Sequence, residues 1–283
     1  MKDIGIIPNW HKKNTTLVVN NIKYFFEQRN IPIQIASSTD ADFYSTESLA
    51  DQLNSWCGKL KIIIVVGGDG TILRVGRDLA SWDVPILGIN LGQKGFLAEI
   101  EVEKMERFLQ YIATDQYSTQ ERIMLEARLQ RKDEELGYYL AFNDIVIARG
   151  PFSRNIKVDA LVNDDFMESY SGDGIIVATP TGSTAYSLAA GGPIINPTMD
   201  LFVITPICPH SLYNRSVIIN GTDTMELKVD SRQVKVVLTV DGQVRFALED
   251  NDKITICRAK EKVKMVCFHD YSFYRLLHQK LKA

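Results

Sequence analysis

Much that would reveal a chemistry at a glance is missing from these 283 residues. The four cysteines, Cys57, Cys208, Cys257 and Cys267, form no C-x-x-C pair. That excludes the common zinc and dithiol spacings and reads as reduced thiols in a cytoplasmic protein. His11, His210, His269 and His278 lack metal-ligand spacing. No apolar run approaches the ~20 residues of a membrane span. The first apolar run, Ile4-Gly5-Ile6-Ile7, is too short for a signal peptide and reads as a strand. Positive charge is not in excess: 32 Lys and Arg face 35 Asp and Glu, a net charge of -3. Nothing there forms a basic footprint for nucleic acid. Neither a Walker A loop nor a G-x-S-x-G elbow occurs, and there is no internal repeat or low-complexity linker.

What remains is the composition of a globular protein, 45% hydrophobic and 24% charged. The length suffices for one large or two ordinary domains. Up to about residue 114 the pattern alternates. Strands are expected over 4–7, 32–36, 62–66 and 84–89, and helices over 15–28, 45–56, 71–80 and 102–112. Such alternation implies a parallel sheet covered by helices. Beyond that point short strand-like runs follow one another at 125–130, 138–148, 155–162, 174–178, 202–206, 225–229, 234–240, 244–248, 254–257 and 263–268. They argue for a β-rich domain, a sandwich or a layered structure. Only 184–190 reads as helical there, and a last helix is expected over 271–282. The fold class expected is therefore α/β plus all-β: a Rossmann-like domain over 1–114, a β-sandwich-like domain over 115–268, and a terminal helix over 269–283 packing back on the first.

The most informative segment is Gly67-Gly68-Asp69-Gly70-Thr71, placed between the β-branched run 62–66 and a helical pattern. It sits on a strand-to-helix turn at the carboxyl end of a buried strand, where open α/β sheets bind ligands. Glycines there let a phosphate approach the backbone, and a helix start favours an anion. Asp69 cannot serve phosphate affinity, because a carboxylate beside phosphates is repulsive unless it holds a metal or takes a proton. The turn therefore suggests phosphoryl transfer, against the plainer reading of a tight turn. A dinucleotide fingerprint fails, since Leu73 stands where its third glycine should be.

Four further segments carry chemistry. Residues 172–193 read as turn, strand, hydroxyl-rich loop, short helix and Gly-Gly stop. Thr181, Ser183, Thr184 and Tyr186 suit a ribose and an adenine, or simply a capped helix. Asp173, between two glycines, reads alone as a turn residue. Asn143-Asp144 interrupts an apolar run, which is costly if buried without partners; the pair reads as a bulge or as a grip on two sugar hydroxyls. Gly88, Gly92 and Gly95 follow a strand end, as a plain loop or as a wall of the same site. Val240-Asp241-Gly242-Gln243 reads as a hairpin turn.

In the order 67–71, 87–97, 143–144 and 172–193, these segments resemble the NAD kinases over nearly the whole chain. The first motif is shared with diacylglycerol and sphingosine kinases and phosphofructokinases; the long 172–193 segment is far more specific. The resemblance implies ATP-dependent phosphorylation of the 2′-hydroxyl of the adenosine ribose of NAD, giving NADP. It implies Asp69 as general base, with Gly68 and Gly70 presenting backbone N–H groups to phosphates and Arg74 nearby on the first helical turn. It implies that Asn143, Asp144, Asp173 and Gln243 hold NAD, and that Thr184, Ala185, Tyr186, Ser187, Leu188 and Ala189 line its pockets. Arg154 aligns with a position that often contacts NAD. Mg²⁺ would come with ATP, since the sequence shows no dedicated carboxylate cage. A homo-oligomer, dimer or tetramer, is the family habit, with no nucleic-acid or membrane partner. One departure is Asp144, where the family often has Glu. The alternatives are a lipid kinase, against which the polar 181–186 loop speaks, and a non-catalytic NAD sensor, against which Asp69 speaks.

Overall fold

The structure, a computed structural model, describes residues 2–37, 49–92, 95–98, 100–132, 134–151, 154–210, 215–231, 234–269 and 272–281. The chain divides into two compact units, Met1–Glu121 with Lys262–Ala283, and Arg122–Glu261.

In the first unit, strands β1 (Asp3–Pro8), β2 (Ile33–Ile35), β3 (Leu60–Gly67), β4 (Ile86–Asn90) and β5 (Ile100–Glu101) alternate with helices α1 (Thr15–Glu27), α2 (Leu49–Gln52), α3 (Asp69–Asp78) and α4 (Met105–Ala113). The strands run parallel in the order β2, β1, β3, β4, with β5 on β4. β3 is buried almost throughout, as a both-face-covered parallel strand requires. One face is covered by α1 and α4, whose Val18, Val19, Ile22, Phe26, Phe108 and Leu109 join Ile4, Ile6, Ile62 and Ile64 in a single core. Going from β1 to β2 the chain steps one way, and from β3 to β4 the other. The gap between β1 and β3 is thus the switch point at which open sheets bind ligands. The expected helix over 45–56 lies partly outside the described residues; from Leu49 onward it is α2 and a 3₁₀ turn, Asn54–Trp56.

The second unit is all but entirely β. Its strands are most of β6 (Ser118–Arg131), β7 (Glu134–Ala141), β8 (Asp144–Arg149), β9 (Ile156–Val162), β10 (Asp165–Gly172), β11 (Gly174–Ala178), β12 (Leu201–Ile207), β13 (Val217–Asn220), β14 (Met225–Asp230), β15 (Val236–Val240), β16 (Val244–Leu248) and the first part of β17 (Lys253–Cys267). One antiparallel sheet has the order β13-β12-β11-β8-β15-β16. A second antiparallel sheet is built on β10, β9, β14 and the start of β17, with β6 and β7 beyond. Alternate residues of both, Ile145, Ile147, Ile175 and Phe202 from one and Val158, Leu227 and Ile254 from the other, form one sandwich core. The helix α5 (Tyr186–Ala189) follows a 3₁₀ turn over Gly182–Thr184.

Three readings need correction. The run expected as one strand over 138–148 is two, because the chain breaks at Phe142 and Asn143, whose N–H groups are captured by Asp241. The two strands expected at 254–257 and 263–268 are one, β17, which continues through the charged stretch 258–262 by burying Ala259 and turning charges outward. β10 and β13 were not expected. Both are edge strands: β10 is largely polar and only partly buried, and β13 is a mostly apolar run of only four residues with Ile218 exposed, so neither shows clear hydrophobic alternation.

The closing helix α6 (Phe273–Leu281) lies with the first unit, where Lys280 Nζ sits 5.6 Å from the centre of the Phe96 ring. All four cysteines are free. Among the described residues no helix is long and apolar enough to cross a membrane.

Candidate active site

The glycine turn closes β3 and opens α3. Gly68 caps the helix in an extended conformation, φ −139° and ψ −176°, so it is there for space and not for positive φ. A Cβ on Gly67 would lie 2.6 Å from Thr71 Oγ1, and one on Gly68 2.8 Å from Lys12 Nζ. Gly70 is exposed at the helix start.

Asp69 is half-buried, and its carboxylate is already engaged. Oδ2 accepts the N–H of Phe96 at 2.8 Å; Oδ1 accepts those of Ala98 at 2.9 Å and Leu97 at 3.3 Å. The residues after Gly95 therefore wrap the carboxylate, and a Cβ on Gly95 would overlap it, 1.7 Å from Oδ1. That is why glycine stands at 95, although Gln93 and Lys94 lie outside the described residues. Arg74 stands in the second turn of α3 and not the first. It is 6% exposed and bonds Asp78 through Nε at 3.3 Å.

In the second unit an equivalent carboxylate does the assembling. Asp241 and Gly242, φ 50° and 68°, make the positive-φ hairpin turn between β15 and β16. From that turn Asp241 reaches across to the break before β8. Its Oδ1 accepts Asn143 N–H at 2.7 Å and Asp144 N–H at 3.2 Å, and its Oδ2 accepts Phe142 N–H at 3.1 Å. Thr179 seals the other side: its N–H bonds Asn143 O at 2.8 Å, and its hydroxyl bonds Phe142 O at 2.7 Å. Gly182 packs so closely that a Cβ would stand 2.1 Å from Asn143 O.

The result is a cavity of about 490 Å³ within this unit, lined by Asn143, Asp144, Arg149, Ala185, Tyr186 and Asp241 among others. Asn143, on the cavity wall, keeps Oδ1 buried with no hydrogen-bond partner among the described residues, a polar atom still unmatched. Asp144 is 4% exposed. Burial first, and the Asp241 charge second, push its carboxyl up to about 7.

Other expected residues are placed differently. Ser187 is fully buried and bonds Thr205 Oγ1 at 3.0 Å; Ser183 likewise ties Pro180 O and Ile195 N–H. These hydroxyls hold the loop. Thr184 caps back to Thr181 O at 3.3 Å, Leu188 is half-buried and Ala189 exposed. Asp173 pairs with Arg149, Oδ1 to Nε at 2.6 Å, and so positions a residue of the cavity wall. Gln243 is exposed beyond the hairpin turn, and Arg154 is exposed beside residues outside the description. Arg149, Thr239 and Arg245 line the cavity, and no motif marked them. Asp241 carried only a turn signal. Among the described residues no group of three or more His, Cys, Asp or Glu gathers as a metal site.

The likeness to known proteins is spread over both units. The ATP-NAD kinase N-terminal domain model matches residues 4–117, and the ATP-NAD kinase C-terminal domain model matches 142–268. An NAD kinase of Natranaerobius thermophilus is 42% identical over 281 residues, 99% of this chain and 98% of that one. An NAD kinase of Thermoanaerobacter sp. is 39% identical over 285 residues, 99% of each. Among solved structures, yeast NADH kinase complexed with NADH matches with a TM-score of 0.85 at 24% identity, covering 100% of this chain and 88% of that one. An NAD kinase from Archaeoglobus fulgidus in complex with ATP matches at 0.76 and 23%, covering 99% and 98%. At that identity the last two speak for the fold. Two family models covering most of the chain, and full-length relatives near 40% identity, speak for descent: the chain belongs to the ATP-NAD kinase family.

Proposed function

We propose that this protein transfers the γ-phosphoryl group of ATP to the 2′-hydroxyl of the adenosine ribose of NAD, releasing NADP and ADP. The observation that carries the reading is the Asp69 carboxylate, fixed at a glycine turn by three backbone N–H groups. Two carboxylate oxygens offer about four acceptor positions, so one is left for a substrate hydroxyl. The ribose oxygen attacks the γ-phosphorus, the bond to the β–γ bridging oxygen breaks, and the hydroxyl proton passes to Asp69. Mg²⁺ arrives with ATP and neutralises phosphate charge.

Asn143 and Asp144 would take two sugar hydroxyls, with Ala185 and Tyr186 as cavity wall. Burial raises the Tyr186 hydroxyl, so it remains a donor. Asp173 would act through Arg149. Arg74, Arg154, Thr184, Leu188, Ala189 and Gln243 belong to the same reading as NAD contacts, supported by the family alone, and Ser187 as a support of the loop. A cytoplasmic homo-oligomer, dimer or tetramer, completes it.

The test is NADP formation from NAD, ATP and Mg²⁺, read with an NADP-specific dehydrogenase. Asp69→Asn should lose about 10²–10⁴-fold in rate, the span of a general base, while NAD affinity stays within about tenfold. Near-normal turnover of the variant would remove Asp69 from the reaction.

A further inference from the structure

The first unit carries a cation that the reading above does not use. Lys12 lies in the loop after β1, and the glycine turn lies after β3; together they flank the switch point of the sheet. The loop is pinned. Asn9 N–H bonds Val66 O at 2.8 Å, Asn9 Nδ2 bonds Thr71 Oγ1 at 3.3 Å, and Thr15 Oγ1 bonds the carbonyls of both Asn9 and Lys12 at 2.8 Å. Trp10 Nε1 bonds Ala36 O at 3.1 Å.

The Lys12 backbone is thus held, and its half-buried side chain extends over two glycines. A Cβ on Gly68 would be 2.8 Å from Nζ, and one on Gly92 4.0 Å. No counter-ion meets this ammonium among the described residues. A partly desolvated ammonium without an anion is unfavourable until one arrives. A second donor lies close by in the sheet. Asn90, the register partner of Gly67, is 5% exposed, bonds Gly92 N–H through Oδ1, and keeps Nδ2 without a partner among the described residues.

We propose that Lys12 is the donor-phosphate cation of this enzyme, its ammonium bonding the triphosphate oxygens laid over Gly68. The assignment rests on the kinase reading and names a residue of its ATP side. The placement has a chemical use. Negative charge moves onto the leaving ADP as the γ-phosphoryl group departs, and a fixed cation stabilises it without reorganisation. Lysine serves as a point charge for phosphate.

The experiment is calorimetric titration of MgATP, without NAD, into the wild type, Lys12→Met and Lys12→Arg, with NAD titration and thermal melting as controls. Methionine keeps the stem and removes the charge. Lys12→Met should weaken MgATP binding and raise the KM for ATP by about 10- to 100-fold, the worth of a charged hydrogen bond. NAD affinity should stay within about twofold and melting within about 2 °C, as for a surface change. Lys12→Arg should recover most of the loss. Inorganic tripolyphosphate should compete with MgATP on the wild type and bind Lys12→Met more weakly by the same factor.

MgATP affinity of Lys12→Met within about twofold of wild type would overturn the assignment, as would a wild type that binds no MgATP. A wild type that binds MgATP through Lys12 yet forms no NADP would leave this assignment standing and overturn the kinase reading instead.

Discussion

Two aspartates in different units perform the same act. Asp69 collects the N–H groups of Phe96, Leu97 and Ala98, and Asp241 those of Phe142, Asn143 and Asp144. Each holds a loop remote in sequence at the edge of a candidate substrate site. They differ in their access to water. Asp69 is half-buried, whereas Asp241 is 7% exposed, and its bonds to these three N–H groups are buried. A carboxylate that water can reach is able to clamp and react in turn. Asp241, at the wall of the cavity, spends its oxygens on backbone N–H groups, and its charge adds to burial in raising the carboxyl of the neighbour it has drawn close, Asp144.

The strongest way to break this comparison is to truncate the buried member. Asp241→Ala leaves three buried N–H groups without an acceptor. It should cost about 3 kcal/mol, at the low end of the penalty for that many orphaned donors because repulsion with Asp144 is relieved. Melting should fall by roughly 6–12 °C, and NAD affinity should fall with it. Asp69→Ala, where water can replace the carboxylate, should cost about 1 kcal/mol or less. Equal losses in a calorimetric melt would mean that access to water does not separate the two.

Gly95→Ala sharpens the same contrast from the loop side. Its Cβ would overlap the Asp69 carboxylate, so loop or carboxylate must move by about an ångström. Misplacement on that scale costs on the order of 10²-fold in kcat. NAD affinity, argued to reside in the other unit, should be unchanged. Normal kcat in this variant would show that the clamp at Asp69 does not set the reaction geometry.

A further contrast concerns pH. The Asp144 carboxyl stands at about 7 in the folded protein against 3.8 unfolded. Folding therefore favours its protonated form. That contribution is complete below about pH 4 and is lost as pH rises toward about 7. The melting temperature of the second unit should decline over that window, and Asp144→Asn should flatten the decline. The ionised carboxylate is the better acceptor for sugar hydroxyls, so NAD affinity should rise by up to about tenfold between pH 6 and pH 8. A pH-independent affinity, or an unchanged profile in Asp144→Asn, would take Asp144 out of NAD binding.

Much of the first unit was legible because a parallel sheet needs continuous apolar strands such as 62–66, and amphipathic helices such as α4, with Phe108, Leu109 and Ile112 on one face. The second unit was legible as β and less so in its boundaries. The polar edge strand β10 and the short edge strand β13 carry weak alternation, and a charged stretch in β17 imitates a turn. The glycine turn and Asn143-Asp144 announced themselves as breaks in apolar pattern. The bond that Arg74 makes to Asp78, four residues on, was not read from the sequence.

By itself the amino-acid order determined the class of each unit, the strand-to-helix turn around Asp69 and the hydroxyl-rich 179–187 loop, because these depend on periodicity and on residues close in sequence. What Asp69 and Asp241 hold was decided by the tertiary structure alone, across separations of 27–29 and 97–99 residues. So was the use of Ser183 and Ser187 as staples, and the place of Lys12 over Gly68. A side chain's hydrogen-bond partner is whatever the fold carries to within about 3 Å of it, and no local pattern of residues encodes that distance.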